Sequence, residues 1–155
     1  MNIKEFLDKY GTNTTNNFQL LHWAKQLKLK NFQVLMKDEI KGIDCSKNLN
    51  LITNIECSDK SGAHWSAFHK GVKFTVFDKA FNHYWYDSYG RPPDQEIIDK
   101  FGQGSIIASD DQNQKFGTRC CGQLALFFLY RINNGASFDK IILDLKNANR
   151  YLVQD

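Results

Sequence analysis

The sequence predicts a single α+β domain over residues 1–155. Short runs of strand-forming residues indicate several strands, and apolar residues spaced three or four apart indicate amphipathic helices. The stretch 121–132 is apolar on nearly every side, which is typical of a buried central helix. A chain of this length with 42% hydrophobic residues can bury such a core.

The first half of the chain predicts two helices followed by strands, with turn residues between them. In chain order these are a helix over 2–9, a loop over 11–16, a helix over 17–29, strands over 32–36 and 49–56, a turn over 59–62, a strand over 64–68, a hairpin turn over 69–71 and a strand over 73–77. The polar loop over 11–16 ends in residues that favour a helix N-cap.

The second half predicts the remaining elements. In chain order these are a strand over 83–87, a helix over 93–100, a strand over 105–108, a polar loop over 110–118, the central helix over 121–132 and a last helix that starts after Ser137 and runs to about Asn147. Pro93 suits the first position of its helix, since that position needs no N–H donor, and Gly102 favours its end. Residues 133–135, Asn-Asn-Gly, stop the central helix.

Composition excludes several classes of protein. The net charge of +3 permits weak association with nucleic acid without requiring it. No window approaches 18 uncharged apolar residues, and the first eleven residues do not resemble a secretory signal. The four cysteines, Cys45, Cys57, Cys120 and Cys121, lack the spacing of a zinc site, so we expect no metal and reduced thiols in a reducing compartment.

Cys121 and His64 have the chemistry of a nucleophile and its base. Cys121 begins the central helix, where unpaired amides stabilise a thiolate, and Gly122 leaves room for a substrate backbone to approach the sulfur. His64 opens a strand and can take a thiol proton near neutral pH. Both also fit structural roles, as a small core cysteine and as a strand-end histidine. The other histidines, His22, His69 and His83, are predicted to be surface or packing residues.

A carboxylate and an amide would complete such a site. Asp87 closes a strand, where it can orient an imidazole, and Asp78 has the same strand-end placement. Gln114 lies seven residues before Cys121 and offers a neutral donor to an oxyanion, with Gln112 as the competing donor. Taken singly, each also fits an ordinary role in a turn or a solvated loop.

In this order the motifs resemble the adenovirus-type cysteine proteases, or adenains, of the branch found in virophages and Maverick/Polinton elements. More distantly they resemble the proteases that process ubiquitin-like modifiers. The resemblance covers roughly residues 32–132. It rests on Gly62-Ala63-His64-Trp65, on Tyr86-Asp87-Ser88-Tyr89-Gly90, on Gln114 before Cys121-Gly122, on residues 37–40 and on the Pro92-Pro93 turn.

The resemblance implies a papain-like fold, with a central mixed β-sheet packed against helices and the nucleophile at the N-terminus of the buried helix. It implies that Cys121 is the nucleophile, that His64 is general base and then acid, and that Asp87 orients His64. The Gln114 side chain and the Cys121 amide would form the oxyanion hole. Two neighbouring residues are also assigned roles. Trp65 would pack near the site, and Cys120 would be a structural residue.

The resemblance further implies an endopeptidase that cleaves virion capsid or core precursors during particle maturation. We expect a monomer without cofactors or membrane contact, located in the virion and the host cell interior, with at most weak DNA association. The segment between His64 and Asp87 is longer than in adenain, so Asp78 stays a candidate acid. The loop before Gln114 has no cysteine, so disulfide-linked activation by a peptide is not expected. Alternative functions are deconjugation of ubiquitin-like modifiers, or an inactive nucleic-acid-binding structural role on the same fold.

Overall fold

The computed structural model describes residues 1–44, 49–58, 64–71, 83–114 and 118–148. The helices are α1 (Ile3–Tyr10), α2 (Asn17–Gln26), α3 (Gln95–Phe101), α4 (Cys121–Asn133) and α5 (Phe138–Lys146). The strands are β1 (Phe32–Met36), β2 (Leu49–Asn54), β3 (Trp65–Lys70), β4 (His83–Tyr86) and β5 (Ile106–Ala108). Short 3-10 helices span Lys37–Gly42 and Gln103–Ser105.

The five strands form one mixed sheet in the order β1-β2-β3-β4-β5. The inner pairs β2–β3 and β3–β4 are antiparallel, whereas the outer pairs β1–β2 and β4–β5 are parallel. The predicted α+β fold with a central mixed sheet is therefore confirmed.

Side chains of the three central strands alternate between two cores, as the period of two in a strand requires. Ile52, Ala67 and Tyr86 face the larger core, which contains α4, whereas their neighbours Leu51, Phe68 and Trp85 face the smaller core, which contains α3. Both faces of the sheet are thus covered, and the strands between them are held in one register.

Helix α4 lies in the middle of the larger core, as its apolar sequence predicts. Residues 122–129 are all buried. Phe6 of α1, Leu20 of α2 and Ile141 of α5 share this core with it. The first residue of α4 is therefore fixed by a helix that packs against the sheet and three other helices.

Helix α2 ends at Gln26, three residues before the predicted end. Lys28 has a positive φ of 59°, and the Leu29 amide donates back to the Ala24 carbonyl at 3.0 Å. This pattern is a Schellman-type C-cap, formed here without glycine. The periodicity of apolar residues continues past this cap, which is why the sequence overestimates the helix.

The predicted hairpin turn over 69–71 is wrong in its first two residues, because β3 continues through Lys70. His69 lies opposite Asn50 in the sheet, and the two side chains hydrogen-bond at 2.8 Å between Nδ1 and Oδ1. Pairing with both neighbouring strands keeps these polar residues in the extended conformation.

Helix α3 begins at Gln95, two residues later than predicted, because the Asp94 carbonyl accepts the first helical amides, from Ile97 and Ile98. Gly102 ends the helix as expected. The predicted turn over 59–62 and strand over 73–77 lie outside the described residues. Within the described ranges, no helix is both long and apolar enough to cross a membrane.

Candidate active site

The sheet and helix α4 bring the predicted site residues to one cleft of about 590 Å³. His64 directly precedes β3 and Asp87 directly follows β4, so the antiparallel pairing places them side by side. His64, Gln114 and Cys121 line the cleft, while Asp87 lies behind His64 and is fully buried. Four residues from three distant segments of the chain therefore meet at one place.

Asp87 is held by several donors at once. Its Oδ2 atom accepts from His64 Nε2 at 3.0 Å, from Ser66 Oγ at 2.5 Å and from Arg91 at 3.1 Å. Its Oδ1 atom accepts from the Tyr89 amide at 2.8 Å. Burial alone would raise the pKa of Asp87, but the His64 hydrogen bond and charge, with the hydrogen bonds from Ser66 and the Tyr89 amide, hold that pKa below its usual value. Asp87 is thus an ionised, acceptor-only group behind His64.

The state of His64 follows from its two partners. Burial favours the neutral ring, but hydrogen bonds and negative charge from Asp87 and Cys121 outweigh it and raise the pKa of His64 to about 9. Because Nε2 donates to Asp87, Nδ1 is the ring nitrogen that remains for the Cys121 thiol. The Tyr89 ring stacks on His64 with centroids 4.7 Å apart and limits its rotation.

Two partners of Asp87, Ser66 and Arg91, are not among the residues predicted from the sequence. Ser66 is two residues after His64. Because side chains two apart along an extended chain lie on the same side of the sheet, the sequence does indicate that Ser66 lies near His64. Arg91 also donates to Asp94 at 2.7 Å and links the Asp87 carboxylate to the start of α3. Only the folded turn after β4 reveals this second link.

Gln114 lies in the cleft wall and is itself buried. Its Oε1 atom accepts from Ser88 Oγ at 2.6 Å, and its Nε2 atom donates to the Thr118 carbonyl at 2.9 Å. Gln112, the competing amide, donates to the backbone carbonyl of Gln114 at 2.9 Å. Gln114 is therefore the amide that lines the cleft, and Gln112 stabilises the Gln114 backbone.

The two neighbouring cysteines have different surroundings. Cys121 is partly exposed in the cleft, whereas Cys120 is fully buried. Burial and the nearby Cys121 charge raise the pKa of Cys120 to about 11, so its thiol stays protonated at neutral pH. Cys57 is exposed, and Cys45 lies outside the described residues.

Gly122 lies in close contact with the loop before α2. A Cβ atom there would lie 2.1 Å from Thr15 Oγ1 and 3.3 Å from both Leu20 and Trp65. The missing side chain therefore makes room for the loop before α2, and the predicted approach of a substrate backbone stays a prediction. Trp65 lines the cleft near the site, and its Nε1 donates to the Thr15 carbonyl at 3.2 Å, which holds the same loop.

The remaining candidates lie away from this arrangement. His22 is exposed, His69 pairs with Asn50, and His83 packs between the rings of Phe68 and Phe101. Asp78 lies outside the described residues. Among the residues that the structure describes, no cluster of His, Cys, Asp and Glu side chains could hold a metal ion.

Comparisons with known proteins give a match at the level of structure. No family model matches this sequence, and a search of curated proteins finds no match. The crystal structure of the ASFV pS273R protease matches with a TM-score of 0.58 and 14% identity, over 94% of this chain and 70% of that one. The five-stranded mixed sheet with its packed helices thus has the fold of the ASFV pS273R protease.

Proposed function

We propose that the protein is a cysteine endopeptidase with Cys121 as nucleophile, His64 as general base and Asp87 as the residue that orients His64. The observation that carries the proposal is the position of the His64 ring between a buried carboxylate and a thiol in the cleft wall. A pocket of about 300–1,000 Å³ is typical of ligand sites, and this cleft falls within that range.

The reaction follows from the placement of these groups. At neutral pH His64, whose pKa is about 9, already holds on Nδ1 the proton taken from Cys121, and the thiolate attacks the carbonyl carbon of a peptide bond. The C–N bond then breaks as the imidazolium gives its proton to the leaving amine, which leaves a thioester on Cys121. His64 next removes a proton from water, and the hydroxide attacks the thioester. The C–S bond then breaks, which releases the acid product and leaves the Cys121 thiolate beside the protonated His64.

The negative charge of each tetrahedral intermediate needs donors at its oxygen. The backbone N–H of Cys121 lies in the first turn of α4, where amides have no partner within the helix. The Gln114 Nε2 atom is the second donor that we propose. The Nε2 atom has two hydrogens. It donates one to the Thr118 carbonyl, which leaves the other for the oxyanion.

For the biological role, we propose cleavage of capsid or core precursor proteins during maturation of a virus particle. The protein would act as a single-domain monomer in the virion and in the reducing interior of the host cell. The supports are the resemblance of the motifs to the adenain branch and the fold shared with a protease of ASFV. A net charge of +3 suits at most weak DNA association.

A substrate panel tests this role against the alternatives. Purified protein is offered particle precursor proteins and conjugates of ubiquitin-like modifiers, with Cys121→Ala as the matched control. We expect the wild-type protein to cleave the precursors and leave the conjugates intact. Cleavage of the conjugates alone would assign deconjugation instead. Salt-sensitive DNA binding without cleavage of either set would assign the structural role.

A further inference from the structure

Ser88 holds both the backbone and the side chain of Gln114. Its carbonyl oxygen accepts from the amides of Asn113 and Gln114, at 2.8 and 2.9 Å. Its hydroxyl donates to Gln114 Oε1 at 2.6 Å. Only 1% of the surface of each residue is exposed, so little water competes for these hydrogen bonds. One residue thus fixes the segment that carries Gln114 and also the end of its side chain.

The two partners of the Gln114 amide determine which way it points. The Thr118 carbonyl can only accept, so the nitrogen must be the atom beside it, at 2.9 Å. The Ser88 hydroxyl then donates to the oxygen on the other side. Without that hydroxyl the amide oxygen loses its partner, and only the hydrogen bond to the Thr118 carbonyl holds the group. The amide could then turn about that single contact, which would move its second N–H away from the position of the oxyanion.

We propose that Ser88 is a positioning residue that keeps the N–H of Gln114 aimed at the oxyanion. This inference rests on the proposed function, because it assigns Ser88 a role in the same site. Ser66 provides the contrast. It is an equally buried serine whose hydroxyl donates to Asp87 at 2.5 Å, so it acts on His64 rather than on the oxyanion.

The first test is the kinetics of Ser88→Ala on a cleavable precursor. We expect kcat to fall about 10- to 100-fold with KM within about 2-fold, because the donor serves the transition state. Loss of a donor outright typically costs about 10²- to 10³-fold. Ser105→Ala is the control, since it removes a hydroxyl that donates to the Phe101 carbonyl outside the cleft, and it should keep the wild-type kcat.

Two further measurements separate positioning from a general structural defect. Alkylation of Cys121 by iodoacetamide forms no oxyanion, so Ser88→Ala should react at the wild-type rate, whereas Ser66→Ala should not.

In a double-mutant cycle, Ser88→Ala combined with Gln114→Ala should lose no more activity than Gln114→Ala alone, because Ser88 acts through Gln114. If Ser88→Ala does not fold, Ser88→Cys, with a weaker donor of similar size, replaces it in the same measurements.

The outcomes are distinguishable. An unchanged kcat in Ser88→Ala, or losses that multiply in the double variant, would overturn the role of Ser88 while Cys121→Ala stays inactive. Full activity of Cys121→Ala would instead overturn the proposed function itself.

Discussion

The Nε2 atom of His64 lies 3.0 Å from Oδ2 of Asp87, and this carboxylate is fully buried. An ionised carboxylate in this position can only accept, so it selects the ring tautomer whose Nδ1 faces the thiol. In the proposed mechanism, the function of Asp87 is therefore to keep His64 in the form that can take a proton from Cys121.

Substitution of Asp87 tests this relationship. Asp87→Asn keeps the shape of the side chain but removes its charge, so we expect kcat/KM to fall about 10³- to 10⁴-fold, in line with other triads. Asp78→Ala is the control for the second candidate acid and should retain most activity. The reverse order of losses in the two variants would move the acid to Asp78.

The raised pKa of His64 makes stability depend on pH. A pKa of about 9 in the folded protein, against 6.5 for an ordinary histidine, means that the protonated ring stabilises the fold fully below about pH 6.5. This contribution is lost as the pH rises through about 9. We expect urea denaturation to show a decrease of about 1–3 kcal/mol in the free energy of unfolding between pH 6.5 and 9.5.

The same titration of His64→Gln provides the comparison, since glutamine has no proton to lose in this range. Its free energy of unfolding should change much less over the same interval. An equal decrease in both proteins would show that groups other than His64 cause the pH dependence.

Cys120 should be inert although it adjoins the nucleophile. Its thiol is buried and its pKa is raised to about 11, so almost none is present as thiolate at pH 7. We expect Cys120→Ala to keep most of the activity and to cost about 1 kcal/mol of stability for the small cavity. Loss of activity with an unchanged melting temperature would assign Cys120 a part in the chemistry.

The contact between Gly122 and Thr15 predicts a compensating pair. Gly122→Ala places a Cβ atom against Thr15 Oγ1, and overpacking of this kind typically costs about 1–3 kcal/mol. We expect a lower melting temperature and lower activity, since the first turn of α4 must shift. Adding Thr15→Ala should recover part of both, and a double variant no better than Gly122→Ala would contradict this account of the glycine.

The sequence predicts those parts of the fold that depend on local pattern. Helix α4 begins at Cys121 as predicted, because the change from a polar loop to an apolar run is visible along the chain. The end of β3 is different, since His69 stays in the strand through a hydrogen bond to Asn50, nineteen residues away. Pairing over such a distance leaves no local signal.

The same limit applies to the candidate site. Chain order and short motifs suggest Cys121, His64, Asp87 and Gln114, and the fold brings these four together. The groups that hold them cannot be predicted in this way. The hydrogen bond from Ser88 to Gln114 joins two residues 26 positions apart. It forms only when the end of β4 and the loop before α4 pack together.

The most direct test of the central claim is labelling with a substrate-like peptide that carries a thiol-reactive group, followed by mass spectrometry of the digested protein. We expect one adduct, on Cys121, with activity lost in proportion to labelling. We expect no adduct in Cys121→Ala, which still folds but has no turnover. Labelling at another residue, or full activity in Cys121→Ala, would contradict the claim that Cys121 is the nucleophile.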